Sequence, residues 1–217
     1  MKKYGILMTS NLAQKAHDGL KTVMRRLMKP QPIGPCEPTC GNGWYDVGAA
    51  LKASSSGVPP LESRYRPGMV VAVKETHWRW GQYERNEKGN WAFVPGKHLY
   101  VGSQDVIFRP VVIEIGKSEL GYHKRPNLFL PFDLARTHIE ILDVRPELVQ
   151  DIDNTDILAE GITPLEGEPS DDDPWDDFEV YYAQAFRDLW DSINAKKASW
   201  DSNPWTWRYC FKRVEKP

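Results

Sequence analysis

The sequence predicts an α+β protein built on a small mixed or antiparallel β-barrel with flanking helices. Strand-like segments stand near both ends of the chain, at residues 4–8 and at Trp205–Val214. A first strand can pair with a last one and close a sheet on itself. Residues 69–74 form an apolar run with three valines, suited to a strand buried on both faces. Only Asp176–Asn194 keeps a helical period over a long stretch.

The elements follow in order. Residues 4–8 read as a short strand. Ser10 can cap a helix over residues 11–18, with Leu12, Ala13 and Ala16 facing inward. Residues 22–27 read as a strand. Residues 30–66 carry Pro30, Pro32, Pro35, Pro38, Pro59 and Pro60 with Ser54-Ser55-Ser56-Gly57, and read as an irregular insertion. Pro67-Gly68 turns the chain into the valine run. Residues 79–105 read as loop and hairpin around a tight turn at Lys88-Gly89-Asn90. Residues 111–115 and 138–144 are further strands. Asp153 can cap a short helix, with Asp156 three residues on, that stops before Gly161. Residues 163–175 form an acidic, proline-containing linker. In Asp176–Asn194, the residues Phe178, Tyr182, Ala185, Phe186, Leu189 and Ile193 form one stripe that packs on the sheet. There is no internal repeat, and residues 1–217 read as a single domain.

Composition excludes several classes. Of 217 residues, 41% are hydrophobic and 27% charged, as in an ordinary soluble globular protein. Three cysteines do not make a disulfide scaffold, and Cys36-x-x-x-Cys40 lacks a second Cys or His pair for zinc. The five histidines show no metal-ligand spacing, and neither a phosphate-binding glycine loop nor a G-x-S-x-G elbow is present. No cofactor is expected. No apolar run reaches the roughly 20 residues of a membrane span, and residues 4–8 are too short for a signal-peptide core. A cytoplasmic protein with no membrane partner is expected. The net charge of −2 gives no global attraction to nucleic acid, but charge is unevenly placed. Residues 21–29 carry Lys21, Arg25, Arg26 and Lys29 with no acid, whereas Asp171, Asp172, Asp173, Asp176 and Asp177 lie far along the chain. Trp78, Trp80 and Trp91 surround a glycine-containing loop, where a ring could stack on a base.

The segment from Asp18 to Arg26 holds the chemistry. Gly19 can end the preceding helix in the left-handed region, and Lys21 then projects from the turn. Arg25 and Arg26 follow on a strand and point to opposite faces, Arg25 sharing the parity of Lys21. Burial and nearby cations both lower a lysine pKa, and a lysine so tuned can act as base or nucleophile. Glu75 ends the valine strand, where it can join a proton-transfer unit or a salt bridge to Arg25, Arg26 or Arg136. Arg25, Arg26 and Arg136 offer planar forks to phosphate.

These segments resemble the ASCH-domain family, in particular a phage and prophage branch. The resemblance rests on Ile6-Leu7-Met8, the helix ending at Gly19, and Lys21-Thr22 through Arg25-Arg26-Leu27-Met28-Lys29-Pro30. It continues in Pro67-Gly68-Met69-Val70-Val71-Ala72-Val73-Lys74-Glu75-Thr76 and Pro126-Asn127-Leu128-Phe129-Leu130-Pro131, then Arg136 before Thr137-His138-Ile139-Glu140-Ile141. Gln150-Asp151-Ile152, Ala159-Glu160-Gly161-Ile162, Leu189-Trp190-Asp191-Ser192-Ile193-Asn194 and Asn203-Pro204-Trp205 complete it in family order. The resemblance implies a PUA-like β-barrel. Small bacterial ASCH enzymes similar at the N-terminal motif remove the acetyl group of N4-acetylcytidine. Their apparatus is a lysine, a threonine three residues later, and a glutamate at the end of a later strand. Lys21 and Glu75 match the first and last, but Met24 stands at the threonine position and has no hydroxyl. Thr22 would share the face of Met24 on a regular strand and could substitute. The motif arginine of the family aligns with Arg26.

The expected function is binding of RNA, or of a nucleotide or modified nucleoside, in a cleft lined by Lys21, Glu75 and one of Arg25 and Arg26. Arg136, Met24 and Trp78 are further ligand contacts, and Lys29 adds to phosphate binding. The alternatives are an amidohydrolase acting on an acylated nucleobase through Lys21, Glu75 and Thr22, and a protein-interaction module using the acidic segment near 171–177.

Overall fold

A computed structural model of the chain describes residues 3–38, 44–46, 61–101, 120–162 and 176–217. It is an α+β fold with mostly β content. Ten strands are described: β1 (Tyr4–Leu7), β2 (Val23–Leu27), β3 (Cys36–Pro38), β4 (Trp44–Asp46), β5 (Val70–Lys74), β6 (His77–Arg85), β7 (Trp91–Val101), β8 (Gly121–Arg125), β9 (His138–Leu148) and β10 (Trp205–Val214). Three α-helices accompany them: α1 (Ser10–His17), α2 (Asn154–Ala159) and α3 (Asp176–Asn194).

One sheet runs β1-β5-β9-β10-β2, a second β7-β6-β8, and β3 pairs with β4. No closed barrel is shown among the described strands. The first strand β1 finds a parallel partner in β5, not an antiparallel one in β10, and β1 and β2 stand at the ends of the strand order. The expected strand at 111–115 and the linker at 163–175 lie outside the described residues, as do Cys40 and residues 47–60 of the expected insertion. What is described of that insertion is partly regular. The β3–β4 pair forms within it, and Asp46 accepts the amides of Ile33 and Gly34 at 2.7 and 3.0 Å.

The chain forms two compact units. The first comprises Met1–Asp18, Val70–Ile139 and Arg213–Pro217. Its centre is β5, where Val71, Ala72 and Val73 are all fully buried, as their apolar run dictates. Ala72 packs with Leu130, Ala135 and Phe132. Helix α1 begins one residue before the expected start. Thr9, in extended conformation, is the N-cap, and its hydroxyl accepts from the Leu12 amide. The stretch expected as loop and hairpin over residues 79–105 forms, in its described part, a long hairpin, β6–β7, with β8 on the other side of β6. Its turn is fixed by Asn86, whose side chain accepts the amides of Lys88 and Asn90, both at 3.0 Å. Gly81 has room for nothing larger: a Cβ there would lie 2.4 Å from the Val94 carbonyl and 2.6 Å from the Phe93 ring.

The second unit comprises Gly19–Met69 and Glu140–Lys212. It opens at Gly19, whose φ of 78° is the left-handed turn expected after α1. Strands β2 and β10 pair antiparallel, setting Met24 opposite Tyr209 and Arg25 opposite Arg208. The β9 ladder loses a donor at Pro146, and the Thr206 hydroxyl secures its end by donating to the Glu147 carbonyl at 2.9 Å. Asp153 caps α2 as expected, accepting the Asp156 amide at 2.7 Å. Helix α3 has the predicted bounds, Phe178 of the predicted stripe lies outside the described side chains, and among those described the buried ones are Phe186 and Trp190. They pack with Val149, Ile157 and Ile162, flanked by Tyr182, Ala185 and Leu189, whereas Ile193 is 49% exposed. Trp190 is held further by its indole N–H, which donates to the Ala198 carbonyl at 3.0 Å.

Candidate functional site

The sequence-predicted residues fall into two clusters, one in each unit. In the second unit, Gly19 turns the chain so that Lys21 points inward, and only 3% of it is exposed. Its ammonium pairs with the Glu160 carboxylate and donates to the Glu160 carbonyl at 2.8 Å. Burial pushes the Lys21 pKa down, Glu160 pulls it back up, and the Arg26 and Arg25 charges add to the depression. The result lies below the ordinary lysine value.

Arg25 shares that carboxylate with Lys21. Its Nη1 donates to Glu160 Oε1 at 3.4 Å, and its Nη2 donates to Glu147 at 2.9 Å and to Asp156 Oδ2 at 2.5 Å. Register explains why so many acids gather here. Arg25 and Arg208 are directly opposite on β2 and β10, a repulsive pair if left alone. Asp156, in the first turn of α2, accepts from both arginines, with Arg208 Nε on Oδ2 and Nη2 on Oδ1. Burial alone would raise the Asp156 carboxyl, but the hydrogen bonds and charges of Arg208 and Arg25 outweigh it and hold it at about 2. Three cations, Lys21, Arg25 and Arg208, thus meet three carboxylates, Glu147, Asp156 and Glu160. With its guanidinium committed to these acids and buried, Arg25 is poorly placed to take a phosphate. Arg26 is partly buried, and burial lowers its pKa against the upward pull of the Glu160 charge. Lys29 is exposed.

Met24 is buried opposite Tyr209. Thr22 does not join it. Residue 22 precedes β2, its amide donates to the Ala159 carbonyl and its carbonyl accepts from the Phe211 amide, both at 2.8 Å, and its side chain is exposed. Strand parity therefore does not carry from Met24 to Thr22.

In the first unit, Glu75 directly follows β5 with its side chain buried, and Arg136 is its counter-ion. Arg136 Nε donates to Oε1 at 2.8 Å and Nη2 to Oε2 at 3.0 Å, a side-on fork. Of the three arginines weighed as partners for Glu75, Arg136 takes the role. Arg136 Nη2 also donates to Gln14 Oε1 at 2.8 Å, and the Gln14 amide donates to Asp18 at 2.9 Å. Beside this row His17 Nδ1 is 2.9 Å from the Thr137 hydroxyl. Burial, then the Arg213 and Arg136 charges, lower the His17 pKa, so its ring stays neutral to lower pH than usual. Trp78 lies on β6 opposite Lys124 of β8, on a strand rather than in a loop.

Sequence reasoning missed Glu147, Asp156 and Glu160 as partners, and Gln14 and His17 altogether. The signal for the acids was present. Arginines on neighbouring strands require carboxylates, and Asp156 and Glu160 lie four apart around a short helix, on one side of it. No protein-family model, curated protein or solved structure matches the chain. Among the described residues no helix is long and apolar enough to cross a membrane.

Proposed function

We propose that the chain is an ASCH-type protein of phage origin that binds RNA, or a nucleotide or nucleoside, in the host cytoplasm. The Glu75–Arg136 fork is the observation that carries this reading. The buried Glu75 carboxylate, both oxygens taken by Arg136, fixes a guanidinium that is 21% exposed, and donors held in fixed geometry are what reading the edge of a base requires. Gln14 and the Thr137–His17 pair extend the row of polar groups in the same unit. The order of family-like segments along the chain adds to this support. Calorimetric titration with cytidine, N4-acetylcytidine and cytidine monophosphate tests it. Saturable binding that weakens at least tenfold in Glu75→Gln and in Arg136→Lys is the expected result, since a fork lost at a desolvated site costs on the order of 1.5–3 kcal/mol. Binding by none of the three, or binding indifferent to both substitutions, removes the reading.

One observation favours an amidohydrolase acting on an acylated base as the second reading. Lys21 is a buried amine with a depressed pKa, the state in which a lysine serves as base or nucleophile. Against it, Met24 fills the threonine position and the Thr22 hydroxyl lies outside, exposed. A missing proton-transfer group costs about 10²–10⁴-fold in rate. Slow wild-type deacetylation of N4-acetylcytidine, faster in Met24→Thr and abolished in Lys21→Ala, would establish the enzyme. No turnover in either wild type or Met24→Thr would leave the binding reading alone.

A further inference from the structure

The three-stranded sheet β7-β6-β8 belongs wholly to the first unit and carries a charge unlike that of the chain. Residues 77–97 and 121–125 contain six cations, Arg79, Arg85, Lys88, Lys97, Lys124 and Arg125, against two acids, Glu84 and Glu87. That is an excess of four positive charges in a chain whose net charge is −2. Cross-strand register lines up rings and guanidiniums on one face. Arg85 is opposite Trp91, Tyr83 opposite Phe93, Arg79 opposite His123, and His77 opposite Arg125. The rings of Tyr83, Phe93 and His123 meet one another at 5.3 Å. The Arg125 guanidinium lies 4.4 Å from the Phe93 ring centre and 4.7 Å from that of Phe129, and donates to the Tyr83 hydroxyl at 2.9 Å. At the other end of the row Arg85 lies 5.0 Å from the Trp91 ring.

Two of these rings stay in solvent although they are large and apolar: Phe129 is 56% exposed and Trp91 38%. Both are already oriented by an arginine, which fixes the ring and leaves cationic donors beside it. Single-stranded nucleic acid is recognised by this combination, in which bases stack on aromatic faces while phosphates meet neighbouring cations. From the Arg85–Trp91 pair the row runs two strand residues, about 7 Å at ~3.3 Å per residue, to Tyr83 and Phe93, where Arg125 and then Phe129 lie, whereas His77 and His123 beyond are buried. The cations of the Lys21 cluster, by contrast, are buried against carboxylates.

We propose that this face is a stacking surface for single-stranded RNA, with Trp91 and Phe129 taking bases and Arg85 and Arg125 meeting phosphates. It rests on the nucleic-acid reading above and gives the polymer a surface separate from the Glu75–Arg136 fork. The test is fluorescence anisotropy with a labelled, mixed-sequence, single-stranded ribo-oligonucleotide of about ten nucleotides, a length within the span of known single-strand sites. Phe129→Ala and Trp91→Ala are each expected to weaken binding about tenfold, the worth of one stacked base. Arg125→Lys keeps the charge but loses the planar stack and should weaken binding too, whereas Arg187→Ala on α3 should not. Both rings are exposed, so unchanged melting temperatures will separate lost binding from lost folding. Wild-type affinity in Phe129→Ala, Trp91→Ala and Arg125→Lys overturns the surface while leaving nucleoside binding at Glu75 untouched. Tighter binding of a DNA oligomer or of duplex RNA overturns the assignment to single-stranded RNA. An oligomer that does not bind at all, alongside cytidine that does, overturns the surface and keeps the fork.

Discussion

Asp156 serves two guanidiniums with one carboxylate, and two consequences follow at the scale of the single residue. Its folded pKa of about 2 lies below the ordinary 3.8. The stability that Asp156 supplies is therefore fully present above about pH 4 and is lost as pH falls through about 2. Acid unfolding followed by circular dichroism should show wild type losing stability in that window. Asp156→Asn should start lower at neutral pH, by about 3–5 kcal/mol as for a broken buried ion pair, and fall less steeply below pH 4. A variant with wild-type stability at pH 7 would show that the arginines find water or another acid. Lys21 makes a second prediction. In a pH titration of the lysine Cε resonances by NMR, one lysine should lose its proton below the others, and Lys21→Met should remove that signal. Glu160 supports the charged form, so Glu160→Gln should move the Lys21 transition lower still. All fifteen lysines titrating together near the ordinary value of about 10.4 would contradict the burial argument. Lys21 could be singled out from sequence because a glycine-ended helix and two nearby arginines are local features. Its partner lies 139 residues away, and no local pattern names it.

At the scale of the element, sequence was most informative where periodicity or capping chemistry decides. Helix α3 and strand β10 have the predicted bounds, and Asp153 caps α2. The glycines and charges of residues 79–97 break the apolar alternation, so the sequence marks this hairpin only as loop and hairpin together. Gly81 is in fact a packing device, giving the Phe93 ring a place against β6. The stripe on α3 shows what periodicity cannot give. Spacing places Phe186 and Ile193 on one face, but the partners Val149, Ile157 and Ile162 reach only part of it. Phe186→Ala should thus cost about 3–5 kcal/mol in chemical denaturation. Ile193→Ala, half in solvent, should stay within about 1 kcal/mol. Equal losses at the two sites would mean that the helix end is covered in solution.

For the molecule as a whole, charge placement matters more than charge total. A chain of net charge −2 should ignore polyanions, yet its excess cations sit on one small sheet beside exposed rings. Inorganic polyphosphate offers the charge of RNA without the bases. It should bind more weakly than an RNA oligomer of equal charge and should dissociate at lower salt. Equal affinity for both would make the rings bystanders. The α+β class was legible in the sequence because strands and the long helix declare themselves locally. Barrel closure was not, because it depends on which strands become neighbours, and β1 chose β5. The six-charge cluster around Arg25 also carries a thermal signature. Each of its ions gave up hydration to enter the second unit, and ionic hydration becomes less favourable on warming. A version with all six charged residues of the cluster replaced by apolar residues of similar size should compare best with wild type near freezing, and progressively less well as the solution warms.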